Sequence, residues 1–395
     1  MLVQKTLHVV IDPDPDLRET LDAFTAVCNQ ISPTAYNSGK PLNALRLHKA
    51  EYRAVKGALS SQLTCTAIRL TAGAYVAARK NGHDITHPFR WKTPYALFLI
   101  GKRGRDASFK SGNTLSIWTV KGRKHLAYQV PDVFRDAFDR AHTIDSVVVV
   151  PKGDRFIGHV CVTLEVPDAP GIVPVGVDLN ETNAIVAVDA DGRTLFITGL
   201  HRRVLNTRTR KTNARLQTKL EAKKAEGKNT RSVVRALKRL SRKRSRRTRD
   251  FCHCAAKHLV EWSPQNCMLV FEDLSFPKKK GKESQKKRSK ASNRRLSAWP
   301  RGMIRAVVAY KVAGKGETAE VNPAYTSQTC SRCGLLGVRS RHSFSCPHCG
   351  HTDHSDINAA INIRNKFTAL RDSGVPSTTP GASSGGKPPV STGGS

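Results

Sequence analysis

The chain is short of acids: it holds 31 Asp and Glu against 66 Lys and Arg, a formal net charge of +35 over 395 residues. An excess of that size is the electrostatic footprint of a polyanionic partner, nucleic acid first and an anionic membrane surface second. The sequence also lacks an apolar run long enough to span a bilayer. Met1 to Asp16 carries acids early and lacks the basic-then-apolar order of a secretion signal. These absences predict a cytosolic chain with no membrane partner. Thiols stay reduced in that compartment, so paired cysteines are expected to bind metal rather than to cross-link. The length allows two or more domains and a sizeable core.

The ten cysteines divide by spacing. Cys28, Cys65, Cys161 and Cys267 stand alone in apolar surroundings and read as ordinary buried residues. Cys252-His253-Cys254 looks like a ligand cluster, but Phe251, Cys254, His258 and Trp262 fall at helical spacing and favour a helix face. Cys330 and Cys333 form one C-x2-C pair, and Cys346 and Cys349 another. Two such knuckles present four thiolates tetrahedrally to Zn²⁺ in a closed, structural site. Each second cysteine precedes a glycine, Gly334 or Gly350, which permits a left-handed turn that aims backbone N–H groups at the sulfurs. The 12-residue loop between the pairs is slightly shorter than the usual range of roughly 15–20. His342, His348, His351 and His354 are left over and are expected to face solvent or nucleic acid.

Along the chain, Val3 to Ile11 alternates as a strand. Asp16 to about Asn81 is helical, with Leu59, Leu63, Ala67, Leu70 and Tyr75 on one apolar face. Arg90 to Val166 is mostly β. The expected class is therefore α+β and multidomain, opening with a barrel-like β module (1–12 and 90–170) that carries a helical insert (13–89). Strands are then expected at Val175–Leu179, at Asn183–Asp189 and, after the Asp191-Gly192 turn, at Thr194–Thr198. Between His201 and Asp250 there are 20 Lys plus Arg against Glu221, Glu226 and Asp250, and apolar spacing predicts a helical hairpin broken at Gly227–Thr230. A strand at Met268–Glu272, a helix at Gly302–Val312, a strand at Thr318–Val321 and a helix from about Ser355 to Leu370 follow. Lys278 to Arg301 reads as a mobile basic loop. The Ser-, Pro- and Gly-rich tail, 371–395, cannot bury a core and is expected to be disordered.

Three strands, helix, strand, helix, strand, helix is the ribonuclease-H-like order. In it, acids from the first strand, the fourth strand and the last helix converge; those positions offer Asp178, Glu272 and Asp356. Phosphodiester hydrolysis uses such a cluster to hold two divalent ions roughly 3.5–4 Å apart, and carboxylates are the hard ligands that Mg²⁺ prefers. Singly, each acid has a bland reading. Asp178 could be a turn residue, Ser355 or Asp356 could cap a helix, and register alone leaves Glu272 and Asp273 as alternatives.

Four blocks in order resemble the TnpB family, also called OrfB, of transposon-encoded RNA-guided DNA endonucleases related to type V CRISPR effectors. They are Val175-Gly176-Val177-Asp178-Leu179, Phe271-Glu272-Asp273-Leu274, Tyr325-Thr326-Ser327-Gln328-Thr329-Cys330-Ser331-Arg332-Cys333-Gly334 and Asp356-Ile357-Asn358-Ala359-Ala360-Ile361-Asn362-Ile363. The match runs from about Gly171 to Lys366. The resemblance implies a wedge-like module and a recognition insert before 171, then a RuvC-like nuclease domain (171–324 and 354–370) interrupted by a zinc ribbon for target nucleic acid (325–353). It implies a catalytic, Mg-binding triad of Asp178, Glu272 and Asp356, and a structural zinc on Cys330, Cys333, Cys346 and Cys349. Guide RNA and double-stranded DNA are the implied partners of a monomer. The RuvC-like site would cut the displaced strand and then the target strand. Phosphate contacts are expected from Arg242, Lys243, Arg244, Arg246, Arg247 and Arg249. The competing expectations are a compact type V CRISPR effector, an RNA-guided repressor or transposition regulator that does not cut, and an unguided nuclease or transposase. The sequence lacks the DDE-type pattern that the last would favour.

Overall fold

The computed structural model describes residues 2–83, 85–101, 106–273, 289, 293 and 298–373. Most of the expected mobile loop (278–301) and of the expected disordered tail (371–395) lies outside the described residues. The chain divides into two compact units, Met1–Val166 and Pro167–Ser395, four residues before the boundary expected from sequence.

The first unit is built on β1 (Leu2–Ile11), which pairs along its length with β7 (Arg155–Glu165) from Leu2 opposite Glu165 to Ile11 opposite Phe156. At Val10 and Ile11 it also reaches β5 (Gly122–Gln129), so one strand joins two antiparallel layers. The remaining strands are β2 (Ala96–Leu99), β3 (Ala107–Lys110), β4 (Thr114–Thr119) and β6 (Ala141–Lys152). The sheet order is β2-β6-β7-β1-β5-β4-β3. The two outer strands are not ladder partners, but the Leu99 N–H donates to the Asp106 carboxylate at 3.3 Å, which draws the open edges together into a barrel-like form. A short helix, α4 (Asp132–Asp139), was not legible within the expected β region.

The expected helical insert is present as α1 (Pro15–Tyr36), α2 (Ala44–Val55) and α3 (Ser61–Lys80). The helix starts are written in the sequence. Asp14 caps α1 by accepting from the Leu17 N–H at 2.7 Å with Pro15 following, and Asn43 and Ser60 cap the next two in the same way. Leu63, Ala67 and Tyr75 are buried as expected, whereas Leu70 is only half-buried; Ile68, Thr71 and Ala72 complete that face.

In the second unit β8 (Val173–Asp178), β9 (Asn183–Val188) and β10 (Thr194–Thr198) form an antiparallel meander. Next come α5 (Leu200–Ala225), α6 (Arg231–Trp262), β11 (Cys267–Glu272), α7 (Arg301–Lys311) and β12 (Gly316–Val321). The sheet order is β10-β9-β8-β11-β12, and β11 runs parallel to both its neighbours. Three short strands follow, β13 (Val338–Ser340), β14 (Ser343–Ser345) and β15 (Thr352–His354), and then α8 (Ser355–Asp372). The period-2 pattern of β11 divides its side chains between two faces. Cys267, Leu269 and Phe271 join α6 and α7 residues such as Leu259 and Val308, while Val270 packs with Ile363 and Phe367 of α8.

The helical hairpin forms as expected, but the buried line of α6 is not the expected one. Cys254 and His258 are exposed, and Cys252, Ala255, Ala256 and Leu259 face the sheet. Phe251 and Trp262 are half-buried and pack at the margin of the same core. Among the described residues, Cys252, His253 and Cys254 join no metal-ligand cluster. Of the four lone cysteines, Cys28 and Cys267 are buried, while Cys65 and Cys161 are only half-buried.

Candidate active site and zinc ribbon

Asp178 ends β8, and Glu272 ends the parallel neighbour β11. Phe271 lies opposite Val177, so the two acids leave the sheet side by side at its carboxyl edge. Asp356 arrives on the first turn of α8. A glycine brings that helix so close: a Cβ at Gly176 would lie 1.9 Å from the carbonyl oxygen of Ala360. Gly176 precedes Asp178 by two residues, on the same face of the strand, and Ala360 follows Asp356 by one helical turn. The contact that only glycine allows therefore sets the meeting of the two aspartates.

The charges converge. Burial, then the Glu272 carboxylate, push the Asp178 carboxyl up to about 7 against the Asn180 amide, and Asp356 adds to the rise. Burial also raises Glu272, opposed by the Thr326 hydroxyl, Lys366 and Arg339. Asn180 Nδ2 donates to Asp178 Oδ2 at 3.1 Å, while Asn180 Oδ1 accepts the Thr182 and Asn183 N–H groups and folds the β8–β9 turn. Thr326 donates its hydroxyl to Glu272 Oε1. Asp356 is almost fully buried: Asn183 Nδ2 donates to Oδ2 at 2.8 Å, and Arg339 Nη2 to Oδ1 at 2.9 Å.

The open alternatives of the sequence resolve here. The cap of α8 is His354, whose Nδ1 accepts the Asp356 N–H at 3.2 Å, so Asp356 does not cap its helix with its side chain; the Ser355 hydroxyl donates to Arg341 O. The Glu272 charge, not that of Asp273, raises the Asp178 carboxyl, and Asp273 lies by Arg305, whose charge it supports.

The ribbon is two nearly identical knuckles. Gly334 N–H donates to Cys330 O and Gly350 N–H to Cys346 O, both at 3.0 Å. Both glycines are left-handed, at φ +76° and +70°, as the spacing predicted. All four thiols are free, and their sulfurs lie within 4.8 Å of one another. Cys330 to Cys349 is 3.7 Å and Cys333 to Cys346 is 3.5 Å. Zn–S bonds of about 2.3 Å require sulfurs about 3.8 Å apart in a tetrahedron, so the donor set fits zinc. Burial raises the Cys346 thiol, but the N–H groups of Cys349 and His348 and the facing thiols lower it, while those same sulfur contacts raise its partner Cys333, so the first proton lost from the cluster belongs to the Cys346 side. The core of the ribbon is only Cys330, Phe344 and Cys346, with Cys349 against it.

Sequence reasoning passed over the residues that tie this ribbon to α8. Asn358 Oδ1 accepts the Ser331 N–H at 2.9 Å, and its Nδ2 donates to Thr329 O at 2.8 Å. Asn362 Nδ2 donates to the carbonyls of Thr326 and Thr329. Two asparagines four apart inside a helix, flanked by alanines, were the available signal: a polar pair on a buried stripe needs partners outside its own helix. Arg339, Asn180, Asn183 and Thr326 left no such signal. Of the spare histidines, His342 and His348 are exposed as expected, while His351 and His354 are half-buried beside Asp353 and Asp356; His342 also lies 4.0 Å from Asp356. The six expected phosphate contacts, Arg242, Lys243, Arg244, Arg246, Arg247 and Arg249, are all exposed on α6. No helix among the described residues is long and apolar enough to cross a membrane.

Comparison with known proteins agrees with this layout. Residues 159–281 match the OrfB_IS605 family model, described as "Probable transposase", and residues 302–363 match "Cas12f1-like, TNB domain". The "TnpB-like protein aq_aa05" of Aquifex aeolicus (strain VF5) is 34% identical over 134 residues, covering 31% of this chain and 42% of the relative. The "Putative RNA-guided DNA endonuclease InsQ" of Escherichia coli (strain K12) is 33% identical over 162 residues, covering 38% and 40%. The matched regions thus span about two fifths of these relatives. The fold resembles that of Cas12f1, solved by cryo-EM with its single guide RNA and target DNA, at a TM-score of 0.58 and 14% identity over 89% of this chain and 82% of that one. The TnpB/OrfB resemblance of the sequence therefore stands: the chain carries an OrfB segment followed by a Cas12f1-like TNB segment.

Proposed function

We propose that this chain is an RNA-guided DNA endonuclease of the TnpB type, cutting phosphodiester bonds at a RuvC-like site made by Asp178, Glu272 and Asp356. One observation carries the reading: buried Asp178 and half-buried Glu272 leave adjacent parallel strands side by side, buried Asp356 comes in on α8, and burial with the Glu272 and Asp356 charges pushes the Asp178 carboxyl up to about 7. A fold gains no stability from such crowding, and strongly perturbed acids gathered at one place mark a functional site. The sheet order β10-β9-β8-β11-β12 supports the ribonuclease-H-like assignment, and the names of the relatives support guided DNA cleavage.

Hard carboxylate oxygens suit magnesium, and two such ions would supply the Lewis acidity that activates water and stabilises the leaving oxygen. The chain's own residues prepare the place. Asn180 and Asn183 orient Asp178 and Asp356, and Thr326 fixes Glu272; Asp178 would hold such ions as the carboxylate. Arg339, a half-exposed cation from the ribbon, offers a charge to a phosphate oxygen beside the acids. The cations of α6 face solvent, where they are placed to hold a guide RNA by its phosphates. Base pairing by that guide would then select the DNA, with the protein reading only a short flanking motif.

The deciding experiment is Asp178→Ala in the full chain purified with its RNA. Cleavage of guide-matched DNA in Mg²⁺ falls at least a thousandfold while the RNA stays bound and sequences as one discrete species. Retained cutting would remove the site from the reading. A wild-type complex that binds target DNA and leaves both strands whole would favour a repressor instead.

A further inference from the structure

We infer that the junction of the ribbon and α8 holds a second nitrogen-and-oxygen metal site, made by His342, His354 and Asp356, for a divalent transition ion such as Zn²⁺ or Co²⁺. His342 Nδ1 lies 4.0 Å and His354 Nδ1 3.9 Å from Asp356 Oδ2. One ligand atom from each residue lies within 4.8 Å of the others. The imidazoles stack on each other at 5.5 Å between centroids and 22° between planes.

The frame around these ligands is rigid. The turn that carries His342 is tied to the start of α8 twice: the Ser355 N–H donates to His342 O at 2.8 Å and the Ser355 hydroxyl to Arg341 O at 3.1 Å. Ser355 itself is fully buried. His354 is the cap of the same helix, and the edge of Phe196 packs against its ring. Asp356 cannot swing away, since Arg339 holds Oδ1 and Asn183 reaches Oδ2. A carboxylate oxygen accepts more than one partner, so Oδ2 retains a lone pair beside the Asn183 bond.

Bonds of about 2.0–2.2 Å to nitrogen and oxygen require the donors to close to roughly 3–3.5 Å of one another. His342, with a half-exposed side chain, is free to rotate by that amount. The ion replaces the single 3.2 Å hydrogen bond now accepted by His354 Nδ1. Imidazole pairs select borderline ions such as zinc and cobalt over magnesium. The site is thus distinct in chemistry from the acid trio, although it shares Asp356 with it. Its consequence for cleavage rests on the proposed nuclease reading: an ion held here occupies Asp356 Oδ2 and competes with the catalytic magnesium.

The full chain, with its four-cysteine site filled with zinc, is titrated with Co²⁺ in magnesium buffer and followed by visible absorption and by metal analysis after dialysis. One cobalt per chain binds beyond the zinc, with nitrogen-and-oxygen bands and no thiolate charge-transfer band. Its affinity drops at least tenfold in His342→Ala and in His354→Asn, which keeps a side-chain acceptor for the helix cap. No cobalt beyond the zinc, or unchanged affinity in either variant, overturns the site. In parallel, added Zn²⁺ lowers the ratio of cleavage with zinc to cleavage without it in the wild type, and lowers it far less in His342→Ala; equal inhibition of both overturns the competition. Wild-type protein that binds cobalt as described but never cuts in Mg²⁺ contradicts the nuclease reading and leaves the metal site standing.

Discussion

Asp178 shows how a single residue can be useful because it is uncomfortable. Its carboxyl ordinarily titrates at 3.8 and is pushed to about 7 by burial and by Glu272. The folded protein therefore binds this proton more tightly than the unfolded chain, and stability falls as pH rises from about 4 to about 7. The rise is equivalent to at most about 4 kcal/mol, and its coupling to Glu272 and Asp356 spreads part of that over the trio. In magnesium-free buffer, Asp178→Asn is expected to raise stability at pH 8 by about 1–3 kcal/mol and to flatten the pH dependence across that window. Denaturant melts at several pH values check this; equal slopes for wild type and variant would contradict the assignment. Magnesium affinity of the wild type should rise with pH up to about 7 and then level, because the cation displaces the proton.

At the scale of elements, the site depends on how closely α8 lies on β8. Gly176→Ala puts a methyl group 1.9 Å from Ala360 O, so the helix must lift and carry Asp356 away from Asp178. A loss of about 1–3 kcal/mol is expected from the overpacking. Cleavage should fall by far more than stability does, and a variant as active as wild type would show that the helix position is not critical. Asn358→Ala removes two hydrogen bonds between α8 and the ribbon base; the half-buried Ser331 N–H loses its acceptor, at about 1–3 kcal/mol, while Thr329 O keeps the Asn362 bond. The ribbon itself has almost no core, so a metal on its four sulfurs is expected to carry its folding. Cys333→Ser should lose stoichiometric zinc by metal analysis, open the segment 330–354 to proteolysis and reduce cleavage, because Arg339 and the pinned turn at His342 lose their frame.

For the whole molecule, the excess of cations dominates. With a net charge of +35, binding of guide RNA should weaken steeply as salt rises. Replacing Arg242, Arg246 and Arg249 together with Ala, all exposed on α6, should reduce the slope of log affinity against log salt by about 2, close to 0.7–0.9 per lost phosphate contact. An unchanged slope would make these side chains an ordinary solvated face. The two-unit layout was legible because composition and period change near residue 170. The short helix α4 was hidden in a β-rich region, and of the expected stripe on α6 only Phe251 and Trp262 pack against the core while Cys254 and His258 are exposed, because apolar spacing does not record how close a neighbouring sheet must come.

Sequence by itself determined what depends on local spacing and chemical type: the caps of α1 to α3, the strand and helix order, the two glycine-turned knuckles and the three acids at the ends of their elements. Each is decided within a few residues by backbone geometry or by ligand chemistry. Tertiary structure alone decided what depends on approach between distant segments. The coupling of Glu272 to Asp178, the asparagine ties of Asn358 and Asn362, and the pairing of Arg339, His342 and Asn183 with Asp356 all join residues well separated in the chain. Their distances are set by how α8 and the ribbon pack on the edge of the sheet, and no local pattern encodes a packing distance.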